Sequence, residues 1–471
     1  MEHFWDYSVW GFVILFGFVL GSLIIGNVIK KTVPGLQKSL IPTSVISGAF
    51  LLLVAGIYRL ITKETFFESS LFGGNGIANL EIITYHTLAL GFIASSLKRT
   101  KHKMSKQRTV EIFNTGVTTV ATYLLQGVLG LAITIVAAIF ITDFFKAGGM
   151  LLPFGFGQGT GQAMNYGNIY ETENGFVGGK SFGLAVAALG FLSASFGGVI
   201  HLNLMKRHGK LKLANKEEYV LHMEDVQSRD EIPMQESIDK MTIQSALIAV
   251  AYGMTYLMML GLGELLPGMK ATIFGFNFLL GVISATIVKN VMNFLKKRSV
   301  IKKEYTNNFI LTRISNFFFD IMVVSGIAAI RLEVLEKYWG LLLILGAVGF
   351  VATYAYNRIV ARVLFPNYTE EQFLAMYGML TGTASTGIIL LREIDGEFKT
   401  PAADNLVYQN FPAIAFGFPL MLIATFAPGN EILTMIILAG FFVIMNIILF
   451  RSFIFRKKKN LTAAEHKSSE E

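Results

Sequence analysis

The chain has 471 residues, of which 53% are hydrophobic and only 15% charged; its formal net charge is +8 and it holds no cysteine. Soluble domains carry about 25% charged residues, so this composition excludes an ordinary soluble fold, as does the mean hydropathy of +0.55. The missing thiol excludes disulfides, thiolate metal sites and a cysteine nucleophile, and the positive balance implies no nucleic-acid partner, because Lys and Arg gather beside long uncharged runs, where membrane-orientation signals belong.

Taken in chain order, the apolar runs predict spans near 8–29, 39–61, 81–97, 111–142 and 178–205 in the first half. The second half follows with 240–263, 271–292, 307–331, 338–364, 403–426 and a further span at 431–455. A helix needs roughly 20 apolar residues to cross a bilayer, and lipid tolerates only helices or closed barrels; these runs are too long for barrel strands. Met1–Ser8 carries Glu2 and Asp6 but no Lys or Arg, so 8–29 reads as a retained span and not a secretory signal.

Two more apolar stretches, 147–171 and 371–393, are too rich in Gly for regular spans and are predicted to be re-entrant hairpins. The charges agree. Lys30, Lys31 and Lys38 follow the first span; Lys98, Arg99, Lys101, Lys103, Lys106 and Arg108 the third; Lys206, Arg207, Lys210, Lys212 and Lys216 the fifth. Lys296, Lys297, Arg298, Lys302 and Lys303 follow the seventh, and Arg456–Lys459 close the last. The positive-inside rule then expects the N-terminus outside and the C-terminus in the cytoplasm, with an alternation that holds only if neither Gly-rich stretch crosses.

The expected fold is therefore all-α and integral to the membrane. Residues 1–205 form one five-span repeat with hairpin 147–171, and 206–239 a polar cytoplasmic linker. Residues 240–426 form an inverted-topology five-span repeat with hairpin 371–393, and 427–471 an extra span and basic tail. An odd number of spans per half is what inversion requires, and it would bring the hairpin tips together near the midplane.

The first hairpin holds Gly155, Gly157, Gly159 and Gly161 with Gln158 and Thr160 between; the second holds Gly378, Gly382 and Gly387 with Thr381, Thr383, Ser385 and Thr386. Broken backbone at membrane depth must face protein, water or ligand. Amides at a helix N-terminus suit a carboxylate, and freed carbonyls with hydroxyls suit Na⁺. Close helix packing through small residues is the plainer use of such clusters. The candidate substrate-binding residues are Gly157, Gln158, Gly159, Thr160, Gly161, Gly382, Thr383, Ser385 and Thr386. Ion-binding candidates are Asp320, placed deep in its span and alternatively a partner of Arg313 seven residues earlier, together with Gln126 and Thr381. Asn114, Thr115, Thr118, Thr119 and Asn357 read as helix–helix contacts, Arg358 and Arg362 as snorkelling cations, and His86 and His201 receive no role.

These motifs resemble the bacterial sodium/glutamate symporter family over most of residues 8–426. Gly157, Gly159, Thr160 and Gly161 match the first hairpin core of that family, and Gly382 and Thr386 the second. Ile41, Pro42, Val45, Gly48 and Gln126 match positions in two spans. Three positions depart: Gln158 stands where the family commonly has His, Ser385 where it has Pro, and Leu390 where it has Asn. The resemblance implies a Na⁺-coupled symporter of glutamate or another small anionic amino acid or carboxylate. It also implies a bacterial cell-membrane homodimer with an elevator-like motion and no cofactor beyond the coupling ion. A membrane-embedded enzyme is the rival reading, against which stands the absence of an HExxH motif. A passive channel is another, since Gly/Thr loops also build filters. A carboxylate other than glutamate, and coupling to H⁺, stay open within the transporter reading.

Overall fold

The structure, a computed structural model, describes residues 3–37, 39–99, 105–208, 226, 231–234, 238–396 and 399–452. Apart from one isolated bridge between Glu231 and Glu304, its regular structure among these residues is helical. The first half comprises α1 (Tyr7–Thr32), α2 (Pro34–Gln37), α3 (Thr43–Thr62), α4 (Gly76–Ser96), α5 (Lys106–Phe140), α6 (Thr160–Asn174) and α7 (Gly179–Arg207). The second begins with α8 (Lys240–Leu265), α9 (Lys270–Gly275), α10 (Asn277–Lys297) and α11 (Asn308–Ala328). It continues through α12 (Leu332–Leu364), α13 (Thr369–Leu380), α14 (Ala384–Arg392), α15 (Ala402–Tyr408), α16 (Asn410–Phe426) and α17 (Glu431–Leu449).

Among the described residues ten helices are long and apolar enough to cross a bilayer, and α15 with α16 makes an eleventh, bent span. The protein is a multi-pass membrane protein. Local chemistry sets several starts: Ser105, Asp239, Asn307 and Thr383 each accept a backbone N–H in the first turn of α5, α8, α11 and α14. The 50° bend between α15 and α16 has an equally local cause. Pro412 has no N–H to offer the carbonyl of Tyr408 four residues back, and its ring crowds that turn.

The helices sort into two bundles, each drawing on both halves of the chain. In the first, α1, α3 and α4 pack with α8, α10 and α11. Small residues permit close crossings there: a methyl group on Gly48 would lie 2.7 Å from Ile327, and one on Gly91 2.7 Å from the Phe319 ring. Ser315 adds a hydrogen bond to the Gly91 carbonyl at 2.9 Å. In lipid, such packing and interhelical hydrogen bonds replace the hydrophobic drive of a soluble core. The second bundle holds α5, α7, α12, α15, α16 and α17 around both Gly-rich stretches. The bundles touch chiefly along α6: Thr160 packs on Gly326 of α11, Gly161 on Leu88 of α4, and Asn165 donates to the Gly275 carbonyl of α9 at 2.9 Å. Lys180 of α7 also reaches across to Glu81 of α4, 2.7 Å away.

Most of the polar connection 206–239 lies outside the described residues, as do Lys101, Lys103 and the tail from residue 453. The connection's described end is not solvated. Glu231 is buried, with Arg99 at 2.8 Å, Lys240 at 2.9 Å and the Asn307 amide at 2.6 Å. This network ties the end of the connection to the base of the first bundle.

Candidate functional site

Both Gly-rich stretches fold back on themselves. In the first, 3-10 turns at Lys146–Met150 and a π-turn at Pro153–Gly157 lead to a break at Gln158 and Gly159, after which α6 begins. The stretch is closed by Phe154 stacking on Tyr166, ring centroids 3.7 Å apart. Gly159 has φ +82° and ψ −172°, a conformation open essentially to Gly alone. In the second, α13 and α14 flank a break at Thr381–Thr383, and Gly387 lies so close to α13 that a methyl group there would sit 2.3 Å from the Ala375 carbonyl.

The two breaks meet. A methyl group on Gly159 would lie 3.3 Å from the Gly382 carbonyl oxygen and 3.4 Å from Cγ2 of Thr383. Both rest on Gly190 of α7, where a methyl group would stand 2.6 Å from the Thr381 carbonyl and 3.1 Å from Cα of Phe156. Gln126 of α5 links the same elements: its amide donates to the Leu380 carbonyl at 3.1 Å and to Thr353 Oγ1 at 2.9 Å. Its buried Oε1 has no hydrogen-bond partner and faces Gly157, where an added methyl would come within 2.8 Å. Gln158 Nε2 and both amide atoms of Gln162 are likewise buried without partners. Leaving such a group unpaired costs about 1–3 kcal/mol, so the junction is polar beyond the needs of its own packing. The N-termini of α6 and α14 begin there, with backbone amides and the positive ends of their dipoles.

The candidate residues therefore fall into groups. Gly157, Gln158, Gly159, Thr381, Gly382 and Thr383 come together at the junction with Gln126. Thr383 caps α14 and its hydroxyl lies 3.3 Å from that of Thr386; Ser385 is half-buried beside them. Thr381 directs its hydroxyl back to the Tyr377 carbonyl at 2.6 Å. Thr160 and Gly161 turn away from the junction onto α11 and α4: the Thr160 hydroxyl is spent on the Met322 carbonyl at 3.4 Å. Asp320 lies on an exposed face of α11 beside Ser44 of α3. It forms no ion pair with Arg313, whose guanidinium lies over the Phe309 ring 5.1 Å from its centroid.

The snorkelling assignment for Arg358 is overturned. Its guanidinium grips Glu370 at the start of α13 with two hydrogen bonds of 2.6 and 2.7 Å. His201 of α7 meets the same carboxylate at 2.7 Å and Tyr354 at 2.9 Å, so the histidine left without a role anchors the second hairpin. This is a His–carboxylate pair, with Glu370 also held by Arg358. Sequence reasoning also missed the bend at Tyr408–Asn410, for which Pro412 was the available signal. No protein-family model matches the chain, and the search of curated proteins found no match to it.

Proposed function

We propose that the protein is a secondary active transporter: a Na⁺-coupled symporter of a small anionic solute, glutamate or a related amino acid or carboxylate. The observation that carries this reading is the contact between two broken-helix hairpins, Gly159 against Gly382 and Thr383, with unpaired amide groups around it. The carboxylate of the solute is held by backbone N–H groups at the starts of α6 and α14, where helix dipoles favour an anion. Thr383 and Ser385 supply hydroxyls, and Gln126 and Gln158 supply amide groups. Coupling cations neutralise the remaining charge, since no Lys, Arg or His stands among the candidate residues.

In this reading the chain is two inverted five-span repeats with one added C-terminal span. Its N-terminus is outside and its C-terminus in the cytoplasm of a bacterial cell membrane. The bundle that carries both hairpins slides against the other along α6, in elevator fashion, and a homodimer holds the static bundles in the lipid. Transport requires that the occupied moving bundle exchange between two facing states; binding either state equally would shift nothing. The resemblance noted in the sequence supports the substrate class.

Uptake into proteoliposomes tests the function. Labelled glutamate, aspartate and small carboxylates are supplied with an inward Na⁺ gradient, an inward H⁺ gradient or neither. Concentrative, Na⁺-dependent uptake with counterflow is expected. Chemical change of the solute would indicate an enzyme, and uptake that only equilibrates and shows no counterflow a channel.

A further inference from the structure

The bend between α15 and α16 lies among buried polar groups that the hairpin junction does not use. Asn405 is 0% exposed and Gln409 1%. They stand one turn apart, the Gln409 N–H bonding the Asn405 carbonyl at 3.0 Å. The amide nitrogen of Asn405 donates to Gln372 Oε1 of α13 at 2.9 Å, and that of Gln409 to Asn410 Oδ1 at 2.9 Å and to Met379 Sδ of α13 at 3.3 Å. Neither Asn405 Oδ1 nor Gln409 Oε1 has a hydrogen-bond partner. The Tyr408 carbonyl, in the same turn, lacks its helical donor because the residue four positions on is Pro412.

Oxygens of this kind are acceptors in want of a donor or a cation. Burying such a group unpaired is unfavourable, and freed carbonyls at broken helices coordinate coupling cations in transporters. Asn405 also donates to the Tyr368 hydroxyl at 3.1 Å, which donates to Glu111 at 2.9 Å. Glu111 and Tyr368 line a cavity of about 510 Å³ together with Lys106, Asn114 and Phe365.

We propose that Asn405 Oδ1, Gln409 Oε1 and the Tyr408 carbonyl form a binding site for a small monovalent cation, Na⁺ in the first instance. The site rests on the transporter reading for its role as a coupling site. It is separate from Asp320 and from the hairpin junction.

Na⁺ itself is the probe. Wild-type protein and the Gln409→Met and Asn405→Leu variants are melted in lipid nanodiscs in NaCl and in choline chloride of equal ionic strength. A ligand that binds only the folded state raises the midpoint with its concentration. The wild type is expected to respond to Na⁺, and each variant to need about tenfold more Na⁺ or not to respond. Gln409→Glu, which retains an oxygen ligand, is expected to keep the response and covers the case in which Gln409→Met does not fold. No Na⁺ response in the wild type, or the same response in both deletion variants, overturns the site. Concentrative uptake with unaltered Na⁺ dependence in Gln409→Met would remove the site and leave the transporter reading standing. Absence of any uptake by a wild type that still shows the Na⁺ response would remove the transporter reading and leave the site.

Discussion

Gly159 and Gly382 face each other where the two hairpins meet, so closely that one methyl group on Gly159 would lie 3.3 Å from the Gly382 carbonyl oxygen. The backbone of Gly159 compounds the constraint, since φ +82° with ψ −172° leaves no room for a side chain. Gly159→Ala is expected to destabilise the protein by about 1–3 kcal/mol and to reduce uptake strongly, whereas Gly17→Ala, on α1 with open space around it, leaves both unchanged. Thermal melts and uptake on the same preparations check this.

Arg358 holds Glu370 through two hydrogen bonds. A flexible ammonium cannot reproduce a planar fork. Arg358→Lys is therefore expected to recover only part of what Arg358→Met loses, with a loss of about 1.5–3 kcal/mol for each charged hydrogen bond that is broken. Denaturation midpoints of the two variants measure the difference. Equal stability of wild type and Arg358→Met would return Arg358 to snorkelling.

Lys180 and Glu81 join the two bundles at 2.7 Å. With cysteines at both positions in this cysteine-free chain, a short bifunctional cross-linker is expected to stop uptake while leaving solute binding intact, and cleavage of the linker to restore it. Full transport by the cross-linked protein would mean that the bundles need not move past one another.

Orientation is tested in the same way. Lys270, exposed in the connection between α8 and α10, is expected to react with an impermeant thiol reagent from outside as Lys270→Cys. Lys297→Cys, at the end of α10, is expected to react only after the membrane is opened. The reverse pattern would invert the topology.

The spans were legible because twenty-residue apolar runs have no other use at this frequency, and 178–205 is matched by Gly179–Arg207 almost end to end. Boundaries slipped where a charge is paired across helices. The span placed at 81–97 starts at Gly76 and includes Glu81, paired with Lys180; that placed at 338–364 starts at Leu332 and includes Glu333 and Glu336, which Arg59 reaches at 3.2 and 3.3 Å. The hairpins were legible from glycine density, but density does not distinguish glycines that form the junction, such as Gly159 and Gly382, from those that pack a neighbour, such as Gly161 on Leu88. Nor does the local sequence relate His201 to Glu370, which are 169 residues apart. Spacing placed Arg313 on the face of Asp320, yet Arg313 lies over Phe309. The bend at Tyr408 could have been read from Pro412, since a proline always deprives the carbonyl four residues back.

The central claim is that the hairpin junction binds the transported solute. Gln158 and Ser385 are half-buried at its two sides, so single cysteines there are accessible without opening the core. The most direct measurement is the rate at which Gln158→Cys and Ser385→Cys react with a small thiol reagent as the transported solute is titrated. The account predicts that the same solute slows both reactions, with the same half-saturating concentration as its uptake. Unaltered labelling of both cysteines at saturating solute, in variants that still transport, would contradict it.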